Sequence, residues 1–252
     1  MKKLLTSLAK ISLLTTALLT AAFLGALGPE IHEHYLLNRK GLSVVSLKGS
    51  RSGGTGFIIK AKSGKKYIMT ARHVCEGHDS FIASSALTGE SKKVKVIKNY
   101  EKNDLCLVEG IDSLPAINIA SKKYLGAKIW ALATYGLSPH LVLRSGRIHK
   151  EDKNILPIMC SEEMHKKQLG DLTKELRMTP EMLYKMIILA KGECWQKMAF
   201  TISTGFVYPG NSGGPVIDML GNVVGVVSWH QNSAGKSGMV ALKDIKEFIS
   251  NH

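Results

Sequence analysis

Residues 209–215 read Pro-Gly-Asn-Ser-Gly-Gly-Pro, and this stretch decides more about the fold than any other. Its three glycines allow a tight backbone turn that exposes the hydroxyl of Ser212 and directs amide N–H groups into one pocket. A glycine-rich loop of this kind is also typical of a simple hairpin turn. The interpretation therefore depends on two further motifs that precede it in the chain.

The second motif is Tyr-Ile-Met-Thr-Ala-Arg-His at residues 67–73, where an apolar strand ends in a histidine. The third is Asn-Asp-Leu-Cys-Leu-Val at residues 103–108, where Asp104 stands at the start of an apolar strand. Two rival acids, Asp79 and Asp112, lie in weaker contexts. A hydroxyl, an imidazole and a carboxylate together can activate a serine as a nucleophile.

The surrounding pattern consists of short strand-like runs separated by turn residues, which favours barrels or sandwiches over alternating strands and helices. Residues 242–249 instead place apolar side chains on one helical face, and residues 160–198 have helical spacing with a Thr-Pro-Glu helix start. The candidate strands are residues 43–47, 56–60, 66–70, 94–98, 104–109, 128–134, 140–149, 199–207, 215–218, 222–229 and 238–241.

The three motifs, in the chain order His73, Asp104, Ser212, resemble the trypsin-like (chymotrypsin-fold) serine peptidases, since other triad folds use other orders. The resemblance extends over residues 42–249 and is closest to HtrA-like bacterial or viral members that lack a PDZ domain. It implies an all-β fold of two six-stranded antiparallel β-barrels, with a helical insertion in the second barrel and a C-terminal helix.

This resemblance and the composition predict the domain organisation. The expected parts are a signal peptide or membrane anchor at residues 1–29, a linker at 30–42, an N-terminal barrel at 43–120, and a C-terminal barrel at 121–252 with the insertion at about 160–198.

The family's catalytic roles carry over to matching residues. Ser212 would attack the scissile carbonyl, His73 would accept its proton, and Asp104 would orient the imidazole. The backbone N–H groups of Gly210 and Ser212 would form the oxyanion hole. His78 and Cys75 suggest a metal site only weakly, because their spacing fits no zinc pattern, so we expect no metal and no cofactor.

The resemblance also implies a specificity pocket, with Phe206 at its base. Ser228, Trp229 and His230 would form its wall and the strand that pairs with an extended polypeptide. Since no acid lies there, a small or apolar side chain is expected before the cut, although His230 leaves a polar one open.

Two features depart from the family pattern. Asn211 stands where trypsin has an acid that pairs with a newly cut N-terminus, so we expect no zymogen switch of that kind. Cys75 is displaced by one position and no obvious partner precedes it, which leaves the family's disulfide in doubt. Cys160 and Cys194 bracket the insertion and could form a disulfide, while four unpaired thiols, with Cys106 the fourth, remain the alternative.

Charge and hydropathy indicate export. Residues 11–28 carry no charge, with lysines before them and acids after them, which places the body outside the cytoplasm. Such a run suits an uncleaved anchor or a removed signal; a buried core helix is the third possibility. Residues 1–30 hold three of the 34 basic and one of the 20 acidic residues, so the rest of the chain carries +12.

The sequence thus predicts a serine endopeptidase, outside the cytoplasm, with a polypeptide substrate and possible membrane association through its N-terminal segment. A catalytically silent binding protein of the same fold is the alternative. A nucleic-acid binder is a third hypothesis, because residues 171–187 resemble a helix-turn-helix and the chain carries a formal charge of +14. Nucleic acid is disfavoured, since residues 161–198 carry only +1.

Overall fold

The structure is a computed structural model, and it describes residues 28, 30–50, 52–100, 103–123, 125–134, 140–159, 170, 193–204, 210–231 and 236–250. For residues 100, 149–159, 193–204, 229–231 and 236 the description concerns the backbone alone.

The first six strands are antiparallel and close into a barrel in the order β1-β2-β3-β6-β5-β4. The pairing of β1 with both β2 and β4 closes the ring. The strands are β1 (Val44–Lys48), β2 (Gly53–Lys60), β3 (Lys66–Thr70), β4 (Ser80–Ser85), β5 (Ser91–Tyr100) and β6 (Leu105–Glu109).

The remaining strands form a second antiparallel set, in the closed order β10-β11-β12-β9-β8-β7. Its longest strands, β8 and β9, pair with each other from Ile148 with Ser203 to Met159 with Glu193. The strands are β7 (Lys128–Thr134), β8 (Leu141–Met159), β9 (Glu193–Thr204), β10 (Pro215–Ile217), β11 (Val223–Gln231) and β12 (Lys236–Ala241). The predicted mostly β architecture is therefore confirmed.

One core cluster joins the two strand sets. Phe57 and Met69 of the first barrel belong to the same buried cluster as Trp130 and Val226 of the second set. A separate cluster fills the first barrel and includes Ile58. Because β2 is buried on both faces, its apolar residues Phe57, Ile58 and Ile59 follow one another without alternation.

The segment predicted as a linker at residues 30–42 is instead a helix, α1 (residues 30–40), followed by a 3-10 turn, Gly41–Ser43. Leu36 is fully buried and Leu37 packs against the shared core. The indole N–H of Trp130 donates to Glu33 Oε1 at 2.9 Å. The polar residues around this single apolar stripe explain why the sequence suggested an exposed stem.

Two further helices follow, α2 (Arg72–Cys75) and α3 (Leu242–Ser250). Helix α3 begins at the predicted residue and buries the predicted face, with Leu242, Ile245 and Phe248 in the core. Amphipathic spacing alone was enough to locate it.

Other predictions differ from the structure or lie outside it. Strand β4 was missed because its apolar residues, Phe81, Ile82 and Ala83, are consecutive and do not alternate with polar ones. Residues 193–198, assigned to the insertion, belong to β9, and Gly170 is the only residue of 160–192 that the structure describes. The predicted export segment at residues 1–29 also lies almost entirely outside the described residues, and no described helix is long and apolar enough to cross a membrane.

Candidate active site

Two of the predicted catalytic side chains meet where β3 and β6 pair. Thr70 lies opposite Cys106 in that pair, so α2 after β3 and the residue before β6 are neighbours. His73 Nδ1 lies 3.0 Å from each carboxylate oxygen of Asp104. The backbone N–H of His73 donates to Asp104 Oδ1 at 3.1 Å. Three short contacts therefore fix the imidazole against the carboxylate.

Asp104 adopts a backbone conformation that side chains other than glycine seldom take. Its φ is +43°, and among the described residues it is the one non-glycine with positive φ. Aspartate tolerates this region better than most residues, but the conformation still costs energy. The carboxylate is buried, with 5% of the residue exposed. Strain and burial are thus concentrated at one predicted site residue.

Burial and mutual attraction together set the protonation of this pair. Burial alone raises the pKa of Asp104, but His73 and the hydrogen bonds to its carboxylate outweigh that effect and lower the pKa. For His73, burial lowers the pKa, and the charge of Asp104, its hydrogen bond and Glu76 together raise it above the ordinary value. Asp104 is therefore ionised, and His73 is a stronger base than a free imidazole.

A partly buried ion pair adjoins the histidine, and no sequence pattern predicted it. The Arg72 side chain lies 2.6 Å from Glu76 Oε1, one helical turn away, and Arg72 is only 6% exposed. Burial raises the pKa of Glu76, while Arg72 and His73 counteract this. Glu76 raises the pKa of His73 and Arg72 lowers it, so the two effects oppose each other. Among the charged neighbours, Asp104 therefore has the largest effect on the pKa of His73.

A disulfide joins Cys75 to Cys106. The sequence placed this cystine in doubt because no partner precedes Cys75; the partner in fact follows it, on β6. Each half-cystine stands two residues after a member of the predicted triad, His73 or Asp104. The alternative of four unpaired thiols is therefore wrong for these two cysteines, and the proposed pairing of the other two lies outside the described side chains.

The Ser212 turn requires its glycines for geometric reasons. Gly210 and Gly213 have φ of +94° and +86°. A Cβ on Gly213 would lie 2.0 Å from Thr70 Oγ1 and 2.2 Å from the Thr55 carbonyl oxygen. Within the described residues, the N–H groups of Gly210 and Ser212 make no backbone hydrogen bond. These two N–H groups are the donors that the sequence predicts for the oxyanion hole.

Three buried threonines hold the turn in place, and sequence reasoning missed all of them. Thr55 Oγ1 donates to the Gly210 carbonyl at 2.9 Å and accepts from Thr134 N–H at 3.0 Å. Thr55 N–H donates to the Ser212 carbonyl at 2.9 Å, and Thr70 Oγ1 donates to the Thr55 carbonyl at 2.7 Å. The available signal was a polar residue between two glycines in an otherwise apolar strand.

The third predicted side chain, Ser212, forms its hydrogen bond with a residue other than the histidine. Its Oγ donates to the Ser228 carbonyl at 3.4 Å, and among the described residues no hydrogen bond joins it to His73. Ser228, predicted in the wall of the specificity pocket, donates its own hydroxyl to Asp104 Oδ2. Ser228 therefore links the nucleophile candidate to the carboxylate of the His73–Asp104 pair.

Asn211 is buried, and its side-chain N–H donates to the Thr134 carbonyl at 3.0 Å. A neutral amide can donate to a carbonyl in this position, whereas an ionised acid would face it with no proton to give. Asn211 therefore anchors the turn to β7, and the expected lack of the N-terminal ion pair of trypsin stays a prediction.

The remaining predicted pocket residues are described only in part. Phe206 lies outside the described residues, and Trp229 and His230 are described as backbone within β11. In this strand Trp229 pairs with Gly238 and His230 with Ser237 of β12. On the other edge of β11, the pairing with β10 ends at Val226, which lies opposite Pro215. The next residue, Val227, donates its N–H to the Gly214 carbonyl. Residues 228–231 therefore present an edge that no described strand occupies.

The metal hypothesis for His78 and Cys75 does not fit their contacts. The Cys75 sulfur is bonded to Cys106, and His78 Nε2 lies 2.9 Å from the Ser52 hydroxyl. The described residues contain no cluster of three or more metal-ligating side chains.

Comparisons with known proteins agree with this geometry. Residues 54–226 match the trypsin-like peptidase domain family, and the chain belongs to that family. A curated relative, a probable periplasmic serine endoprotease DegP-like protein of Halomonas elongata, is 26% identical over 211 residues. The match covers 79% of this chain but only 35% of the relative, so the chain spans about a third of that protein's length.

Solved structures share the fold. The active form of the Rv3671c protease from M. tuberculosis aligns with a TM-score of 0.63 at 18% identity, covering 84% of this chain and 81% of that one. A serine endoprotease from Yersinia pestis aligns with a TM-score of 0.59 at 16% identity, covering 87% and 66%. At these identities the likeness concerns the fold alone.

Proposed function

We propose that the protein is a serine endopeptidase with Ser212 as nucleophile, His73 as general base and acid, and Asp104 as the group that orients the imidazole. The observation that carries the proposal is the contact of His73 Nδ1 with both oxygens of a buried carboxylate, next to the Ser212 turn. Family membership supports the same class of reaction.

The reaction begins with a side-chain rotation. Ser212 Oγ leaves the Ser228 carbonyl and turns about χ1 toward Nε2 of His73, a change from one staggered rotamer to another. His73 Nε2 then accepts the hydroxyl proton as Oγ attacks the scissile carbonyl carbon. Asp104 stabilises the imidazolium that forms, because the pKa of this carboxyl is held low.

The oxyanion and the leaving group complete the first half of the cycle. The N–H groups of Gly210 and Ser212 donate to the carbonyl oxygen as it becomes negative, and one such donor is worth roughly 3–4 kcal/mol. His73 gives its proton to the departing amine, which leaves an acyl ester on Ser212. Water, activated by the same imidazole, then hydrolyses that ester.

Substrate binding uses the unoccupied edge of β11 at residues 228–231. An extended polypeptide adds there as a further strand, with backbone hydrogen bonds that any sequence can make. Phe206, Trp229 and His230 are proposed to line the pocket for the residue before the cut. The absence of an acid from that set favours a small or apolar side chain.

The protein acts outside the cytoplasm in this proposal. The Halomonas relative is named as periplasmic, and a buried disulfide is typical of oxidising compartments. Residues 1–29 then serve as a signal peptide or a membrane anchor, ahead of one barrel at about 43–120 and a second at about 121–252. The insertion, without its last six residues, is proposed as a helical unit next to the second barrel.

One observation favours a second candidate function, a silent peptide-binding protein of the same fold. Ser212 Oγ donates to the Ser228 carbonyl, and no hydrogen bond among the described residues joins it to His73. If that contact were permanent, the hydroxyl would not be activated, while the β11 edge would still bind peptide.

Covalent labelling separates the two candidates. A fluorophosphonate probe reacts with activated serines, so the full chain should be labelled and Ser212→Ala should not. Ser63→Ala, an exposed turn serine, is the matched control and should label like the wild type. Absence of labelling in a wild-type sample with a cooperative unfolding transition would contradict the enzyme proposal and support the silent binder.

A further inference from the structure

A groove on the outside of the first barrel has no role in the reaction above. Its volume is about 640 Å³. Its lining comes from the end of β1, the β1–β2 turn, the segment after α2, and strands β4 and β5.

The rim of the groove is a row of side chains across three strands. Lys48 of β1 lies opposite Ile82 of β4, and Ile82 lies opposite Lys93 of β5. Directly opposed residues project to the same face, and strands are about 4.8 Å apart, so the two lysines flank Ile82 with their backbones about 10 Å apart. Both lysines are exposed and Ile82 is 44% exposed. Asp79 is the one carboxylate in the lining, so cations predominate.

The floor of the groove is firmly packed. His78 is 9% exposed, and its Nε2 lies 2.9 Å from the Ser52 hydroxyl. The Phe81 ring is 5.0 Å away, between centroids. Gly49 lies so close that a Cβ there would be 2.4 Å from the imidazole Cε1. The lysines are therefore held on a fixed base and not on a loose loop.

Both borders of the groove are close in sequence to residues of the candidate active site. His78 follows His73 by five residues, which span at most about 17 Å when extended. Ser52 lies three residues before Thr55, whose N–H donates to the Ser212 carbonyl. In the proposed function, the part of the substrate before the scissile bond binds to β11 in the second strand set. The leaving part therefore continues past Ser212 toward the first barrel, where the groove lies.

We propose that this groove binds the leaving-group side of the polypeptide, and that Lys48 and Lys93 select acidic side chains there. The proposal rests on the proposed endopeptidase function. A carboxylate within about five residues after the scissile bond reaches the space between the two ammonium groups, and its methylene groups cover Ile82. Exposed ion pairs are individually weak, so two of them give a preference of about tenfold at low salt.

The test compares kcat/KM for peptides that share one acyl side and carry Glu, Gln or Lys at the second to fifth positions after the bond. The wild-type full chain should cleave the Glu peptide about ten times faster than the Lys peptide at low salt, and the ratio should fall toward one in 1 M NaCl. The double variant Lys48→Gln/Lys93→Gln should lose the preference while it cleaves the Gln peptide normally. The matched control is Lys62→Gln/Lys122→Gln, which removes two exposed charges outside the groove and should keep the preference.

Three results would overturn the proposal. The first is cleavage of the Gln peptide with no preference for Glu, which leaves the endopeptidase function intact. The second is a preference that survives in the groove variant. The third is binding to vesicles of anionic lipid that is lost in the groove variant while peptide preference is unchanged, which assigns the lysines to a membrane. Failure of the wild type to cleave any of the peptides or to take up the fluorophosphonate would instead remove the proposed function, and the subsite with it.

Discussion

The hydroxyl of Thr55 is predicted to support both the stability of the fold and the Ser212 turn, and Thr55→Val tests this with almost no change of volume. Thr55 is fully buried, and its Oγ1 bonds the Gly210 carbonyl, Thr134 N–H and the Thr134 hydroxyl. Valine leaves the Thr134 N–H without a partner in the interior, at a cost of about 1–3 kcal/mol. The two other bonds add about 1 kcal/mol in total, since Gly210 is half-exposed and the Thr134 hydroxyl can rotate.

The expected loss is therefore about 3 kcal/mol in the free energy of unfolding, measured by urea denaturation. Because the Gly210 carbonyl also loses its anchor, fluorophosphonate labelling should slow by about tenfold, which corresponds to about 1.4 kcal/mol of lost oxyanion stabilisation. Thr55→Ser keeps the hydroxyl and should retain the labelling rate, with a modest loss of stability from the missing methyl group. Wild-type stability and labelling in Thr55→Val would refute this account of the turn.

Three other predictions follow from the same geometry. The kcat/KM should rise with pH through the pKa of His73, because only the neutral ring accepts a proton. That pKa lies above its ordinary value. In Asp104→Asn the rise of kcat/KM should move to lower pH, because burial then dominates the pKa of His73. Gly213→Ala should lower the free energy of unfolding by about 2–5 kcal/mol in a denaturant titration, from positive φ and the close approach of its Cβ to the neighbouring chain. Replacing both Cys75 and Cys106 by Ala should lower the free energy of unfolding by about 3–4 kcal/mol, because the disulfide closes a loop of 31 residues. The same variant should cleave peptides more slowly at a temperature where it stays folded. Unchanged cleavage would show that the disulfide does not hold the His73–Asp104 pair.

The sequence was most informative where one local pattern decides the structure. Strand β3, strand β6 and helix α3 were predicted well, because apolar runs and helical spacing reflect their burial directly. Helix α1 and strand β4 were not, since each owes its place to packing or pairing with distant parts of the chain. Sequence pattern is a weak guide to elements that tertiary contacts stabilise.

The same division holds for the candidate site. Chain order and glycine spacing located His73, Asp104 and Ser212, but not what holds them. Thr55 contacts residues more than 75 positions away, and the partner of Cys75 lies 31 positions later, so neither relation could be read from neighbouring residues. Such long-range contacts depend on how β3 and β6 pair and on how the two strand sets meet.

The central claim is that Ser212 carries an acyl group during catalysis, and intact mass after an acid quench tests it most directly. The full chain, mixed with an activated ester and quenched within one turnover, should gain the mass of one acyl group. Peptide mapping should place that group on Ser212, and Ser212→Ala should gain nothing. Ester hydrolysis without any mass increment, or an acyl group mapped to Ser228 or another residue, would contradict the account.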